Sequence, residues 1–338
     1  MQMEIRGLWL AEEAPRSDAG AMMKSLLSIV PGVVVIGTSA AIADDTPMTI
    51  KSNLQVGKKY TYEMNMNQSM QTEAAGQPID QDMKMMMKYA SSVSAAEGGK
   101  KSMASEYLDA SMSMNMKMNG EKMDIPGIGD AMDALKGQKF TALLDENDKF
   151  LKVEGVKELL DTVGDNPQTK QMMQGILSED NMKQMFNQST LAAFPENPVK
   201  PGDSWTFEIP LPLGQMGKGS MTGTYTYNGR EEFEGKACAK IKLSGKIAMD
   251  FDADEADEEQ PPEVKQALEM MKALGMKIET SNVEGILHFD PSVGAVRSMN
   301  TNQNFTMTMK NPADGSSIRM PIKQKVTLKL SGFDDIAE

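Results

Sequence analysis

From residue 60 to residue 330 the chain repeatedly sets an apolar side chain at every second position. Tyr60, Tyr62, Met64 and Met66 interleave with Lys59, Thr61, Glu63 and Asn65, and Met112, Met114, Met116 and Met118 with Ser113, Asn115 and Lys117. The same rhythm runs through Ala237, Ala239, Ile241 and Leu243, then Ile247, Met249 and Phe251, then Phe305, Met307 and Met309, and finally Ile322, Val326, Leu328 and Leu330. A period of two with one polar face belongs to antiparallel sheet buried on one side only. The expected fold is therefore mainly β (α+β).

Three segments carry helical spacing instead. Val156, Leu159, Leu160 and Val163 share one stripe, and Met182, Met185 and Phe186 share another behind an N-cap at Ser178. Pro261 and Pro262 open a third, with Val264, Leu268, Met271 and Leu274 on one side and Gly275 as its stop. These read as a few amphipathic helices packed on the apolar face of a curved antiparallel sheet.

The pattern occurs in two related halves. Gly57, Tyr60, Thr61, Tyr62 and Glu63 recur 145 positions later as Gly202, Trp205, Thr206, Phe207 and Glu208. The same offset carries Leu144-Asp145 onto Phe289-Asp290 and Leu151-Lys152 onto Val296-Arg297. Each of these later matches flanks a turn rich in Asp, Asn, Pro or Gly, the signature of a hairpin. A repeat at one fixed spacing points to duplication, with a first β-rich repeat over 44–193 and a second over 194–338, linked through Phe194 to Pro198.

Ahead of the repeats, Lys24, the apolar run from Leu26 to Ile36 and the Ala41-Ile42-Ala43 site form a cleavable export signal over 22–43. The run is too short for a transmembrane helix. Residues 1–21, with Glu4, Glu12, Glu13 and Asp18, are atypical of a signal and read as an N-terminal extension assigned by mistake. The expected product is exported, to the periplasm or beyond, and has no transmembrane segment after signal removal.

The chain's net charge of -13 excludes a basic nucleic-acid surface. One Cys and one His exclude a disulfide framework and a Cys/His zinc site. No nucleophile elbow, phosphate loop or His-Glu-x-x-His motif is present. The acidic run Asp250, Asp252, Asp254, Glu255 resembles a calcium loop but has Glu255 where the sharp turn needs Gly. Cys238 shares its face with Lys236, Lys240 and Lys242, a setting that lowers a thiol pKa, but with no His partner placed by the sequence it reads as an incidental thiol. No catalytic set and no cofactor are expected, and His288 reads as structural.

What remains unusual is methionine, with 33 in the chain. Met64, Met66, Met85, Met87, Met112, Met114, Met116 and Met118 put thioethers in rows on strand faces. Such side chains re-pack around varied apolar guests, so these eight are the candidate lining for a lipid or apolar small molecule. A plain Met-packed core in a structural or interaction protein of the cell envelope is the simpler alternative. Cu(I) binding through Met-x-Met pairs is another, although Met64 and Met66 fall, at the repeat offset, on Ile209 and Leu211. No protein partner can be named.

Val56-Gly57-x-x-Tyr60-x-Tyr62, its echo Val199-x-x-Gly202-Asp203-Ser204-Trp205 and the segment from Gly137 and Phe140 to Gly155 resemble an uncharacterised family of exported bacterial proteins, a domain of unknown function. The inferred architecture is also similar to periplasmic half-barrel lipid carriers of the LolA and LppX type. That resemblance implies an apolar pocket under a curved sheet and transfers no active site.

Overall fold

The computed structural model describes residues 46–74, 77–123, 132–161, 194–195, 197–211, 218–250, 274–311 and 315–336. The export signal, the N-terminal extension, the acidic run beyond Asp250 and the helical patterns at Met182–Phe186 and Pro261–Leu274 lie outside these residues. No helix among the described residues is long and apolar enough to cross a membrane.

Twelve strands form one antiparallel sheet. They are β1 (Lys58–Ala74), β2 (Gln77–Ala95), β3 (Lys101–Met118), β4 (Glu121–Met123), β5 (Lys139–Leu144), β6 (Phe150–Glu154), β7 (Ser204–Leu211), β8 (Lys218–Phe233), β9 (Lys236–Asp250), β10 (Lys277–Asp290), β11 (Ala295–Lys310) and β12 (Ser317–Asp335). Their order is β6-β5-β3-β2-β1-β12-β11-β10-β9-β8-β7, with β4 alongside β3. Two meanders thus lie side by side, and the last strand pairs with the first. Each meander has its own core, one around Tyr60, Val93, Tyr107, Phe140 and Leu144, the other around Phe207, Tyr227, Ile241, Val283 and Phe289.

The expected covering of amphipathic helices is not supported. The described residues include the α-helix α1 (Val156–Asp161), helical residues at Met132 and Asp133, and a 3-10 turn at Glu97–Gly99. Of the stripe that begins at Val156, Val156–Asp161 folds as a helix directly after β6, and the rest lies outside the described residues.

What rolls the sheet is a strap, residues 46–57. Met48 pairs with Val199, just before β7, through N–H···O bonds of 2.8 and 2.9 Å. The Asn53 N–H then donates to the Gly294 carbonyl at 2.9 Å, between β10 and β11. Finally the Leu54 N–H and the Ser52 hydroxyl donate to Asp148 Oδ2 at 2.7 and 2.9 Å, in the β5–β6 turn. The strap therefore touches both edges of the sheet and its middle. Met48 to Leu54 spans at most roughly 20 Å, whereas the eleven strands of the main path, laid flat, would separate the edges by roughly 48 Å. The sheet must curl at this end. Met48 and Ile50 pack into one core and Leu54 into the other, so the apolar face is on the inside of the curl and the strap plugs it. Extra residues in β3, β6, β8, β10, β11 and β12 shift the register and add local bend.

The central turn carries a charge of its own. Asp290 is 1% exposed and accepts from the Ser292 N–H at 2.9 Å, the Ser292 hydroxyl at 2.6 Å, and Arg297 Nε and Nη2 at 2.9 and 2.6 Å. Burial works to raise its pKa, but the Ser292 and Arg297 bonds together outweigh it and hold the carboxyl below its ordinary value. A carboxylate held low stabilises the fold above its unfolded pKa, and that contribution is lost as pH falls through the lowered value. Urea denaturation should show stability dropping below about pH 4. Arg297→Gln should flatten that drop, and an unchanged pH profile would contradict this role.

Candidate functional site

The plugged end contains the buried core. Toward the opposite rim the inner face changes character. There Met64, Met66, Met85, Met87, Met112, Met114, Met116 and Met118 are all half-buried, while their alternates Asn65, Lys84, Ser113, Asn115 and Lys117 are exposed. The structure brings all eight onto one face. Register aligns them in rows: Met64 beside Met87, then Met66, Met85 and Met112 across three strands, then Met83 beside Met114. β12 continues these rows with Leu328 beside Met64 and Val326 beside Met66, and β11 adds Met299.

The absence of charge on this face is as telling as the sulfur. The inner positions are even-numbered on β1 from Tyr60 to Thr72, on β3 from Ala110 to Met118 and on β12 from Ile318 to Leu330. They are odd-numbered on β2 from Ile79 to Tyr89 and on β11 from Met299 to Met309. None is Asp, Glu, Lys or Arg. The outer positions of the same strands carry Glu63, Asp80, Asp82, Lys84, Lys88, Lys117, Lys323, Lys325 and Lys329. Five adjacent strands thus present a neutral inner wall about five residue pairs deep.

Where the wall meets the core stands a tyrosine cluster. Tyr62 and Tyr89 stack with centroids 5.6 Å apart, and Tyr107 pairs with Tyr89 across β2 and β3. Burial pushes the Tyr107 phenol up to about 12 and those of Tyr62 and Tyr89 well above their ordinary value. Tyr62 donates to the Val296 carbonyl at 3.2 Å, and Tyr60, deeper, to that of Val293 at 2.9 Å. At the floor of the curl the Tyr60 and Tyr62 hydroxyls are thus engaged by backbone carbonyls.

Three features escaped sequence reasoning. Gln68, Gln324 and Gln303 stand side by side on the neutral wall, which only strand register reveals. Asp148, in an exposed-looking turn, is 2% exposed and pairs with Lys101 Nζ at 2.6 Å. Cys238 is buried and its pKa is raised, by burial first and then by the nearby Asp290 charge, against the lowering its lysine neighbours suggested. Lys240 pairs instead with Glu231 at 3.1 Å. His288 is buried against Phe233, with rings 4.3 Å apart, and its Nε2 lies 3.1 Å from Glu231 Oε2.

Among the described residues no three His, Cys, Asp or Glu side chains cluster as metal ligands. A cleft of about 260 Å³ is lined mainly by outer-face residues, among them Asp80, Asp82, Asn115, Lys117 and Lys323, with Met70 and Gln81 of the inner wall also reaching it.

The model of a family of unknown function, DUF6263, matches residues 98–294. No curated protein matches by sequence. Among solved structures, lipovitellin, in a study of its lipid–protein interactions, is similar with a TM-score of 0.44 and 13% identity over 85% of this chain. This chain spans 26% of that protein's length. A protein described as exported, with a YmcC-like fold, from Bacteroides fragilis has a TM-score of 0.29 and 11% identity, covering 86% of this chain and 100% of its own. A protein described as a lipoprotein from Parabacteroides distasonis has a TM-score of 0.25 and 11% identity, with the same coverage of both chains.

Proposed function

We propose that this chain, which belongs to the DUF6263 family of unknown function, is an exported, non-catalytic carrier that holds a lipid or other apolar molecule on its methionine-lined inner wall. The two meanders are read as copies of one unit. Gly57 and Gly202, 145 positions apart, both have positive φ and both donate to the neighbouring strand, at 2.8 Å to Val93 and 2.7 Å to Tyr227.

The observation that carries the reading is the neutral wall itself. Five strands spend their inner positions on uncharged, mostly apolar side chains, yet leave many of them half-exposed rather than sealed in a core. Apolar area left in contact with water is a standing source of binding free energy, at about 25 cal/mol per Å² covered. Thioethers suit a guest of variable shape because they are flexible and polarizable. A plain Met-packed core would instead bury these sulfurs as fully as Tyr60 or Ile241.

The test is titration of the lipid-stripped chain with Nile red, a neutral apolar dye. The unaltered chain should bind it with a blue-shifted emission. Met85→Lys, which sets a charge between Met66 and Met112, should weaken binding at least about tenfold. Met86→Lys, on the outer face at a site 37% exposed, should leave it unchanged. No binding, or equal losses in both variants, would defeat the reading.

A further inference from the structure

We infer that the row Gln68, Gln324 and Gln303 is a recognition element for the carbonyl of a neutral acyl ester held along the wall, an inference that rests on the carrier reading above. The three residues face one another across β1, β12 and β11. They set three carboxamides side by side at the strand spacing of about 4.8 Å. Above and below them the wall is largely apolar: Met66 and Met70 on β1, Val326 and Ile322 on β12, Phe305 on β11.

The row's hydrogen-bonding capacity is barely used within the protein. Gln324 donates to Met66 Sδ at 2.6 Å, and a thioether is a weak acceptor. Gln68 and Gln303 take no hydrogen-bond partner among the described residues. Carboxamides donate and accept without charge, so they match a carbonyl or hydroxyl. A phosphate or carboxylate would call for a cation, and Lys323 and Lys325, the nearest in sequence, project to the outer face. The row sits partway up the wall, with apolar positions on both sides of it. A polar head at the end of a chain would belong at the rim. A carbonyl flanked by hydrocarbon on both sides, as in a long-chain ester of a fatty acid, fits the middle.

The experiment compares three pyrene-labelled probes of equal chain length: a fatty-acid alkyl ester, the free acid and an alkane. Titrations use the stripped full chain and its Gln68→Met/Gln303→Met/Gln324→Met variant. Methionine suits the wall, so the fold should persist, and the single Gln324→Met variant serves should the triple one fail to fold. The unaltered chain should prefer the ester to both other probes. The triple variant should lose roughly tenfold in ester affinity, and the single variant roughly threefold, with alkane affinity unchanged. Equal binding of ester and alkane, a preference for the acid, or an ester preference that survives the substitutions would overturn the inference while leaving the carrier reading standing. Failure of all three probes to bind would remove the carrier reading and this inference with it.

Discussion

Replacing Asp148 with alanine lowers the stability of the chain by about 3–5 kcal/mol, the usual cost of removing one partner from a buried ion pair. Asp148 Oδ1 lies 2.6 Å from Lys101 Nζ, whose side chain is only 12% exposed, while Oδ2 receives the Leu54 N–H and the Ser52 hydroxyl. Loss of the carboxylate leaves an ammonium and a backbone N–H without their acceptor. It also frees the strap from the β5–β6 turn, and hence one edge of the sheet from its tie to the other. Asp148→Asn is the milder companion. Asparagine accepts the positive φ of 63° found there and keeps one acceptor oxygen, so it should cost less than alanine. Urea denaturation of both variants checks the order, and near-equality with the unaltered chain would show that the strap is not anchored here.

Gly294→Ala is the second large effect. At φ 65° a Cβ already costs about 1–2 kcal/mol. Here it would also overlap the Asn53 carbonyl of the strap, and overpacking against backbone adds about 1–3 kcal/mol. Gly235 has a similar φ of 73° with open space around it. Gly235→Ala should therefore show the conformational cost alone, and the difference between the two variants in melting temperature measures how tightly the strap lies on the β10–β11 turn. Equal losses would mean that it does not press there at all.

These two sites also mark where the sequence stops being readable. Alternation tells which residues of a strand share a face, and it placed the eight methionines on the sheltered side of their strands. The turn residues Asp145 and Asp290 announced their hairpins, and both accept backbone N–H groups two residues on. Alternation says nothing about which strands pair. That β1 joins β12, setting Lys58 against Asp335, depends on contacts across nearly the whole chain. With the pairing hidden, the glutamine row was hidden too, since its members lie up to 256 positions apart in sequence. The strap alternates like a strand, with Met48, Ile50, Leu54 and Val56 at even positions, but its hold on the sheet is made largely by backbone groups, which carry no sequence signature. The surroundings of Cys238 were hidden for a related reason. Its neighbours along the strand are lysines, but Asp290 and Arg297 come to it from β10 and β11.

The central claim is that the neutral wall holds an apolar guest. Native mass spectrometry of the full chain, isolated without detergent from its own compartment, tests it most directly. The expected species is heavier than the bare chain by the mass of one neutral lipid, which organic extraction removes and the Met85→Lys variant lacks. A chain that flies at its bare mass, or that carries only copper on its thioethers, would contradict it.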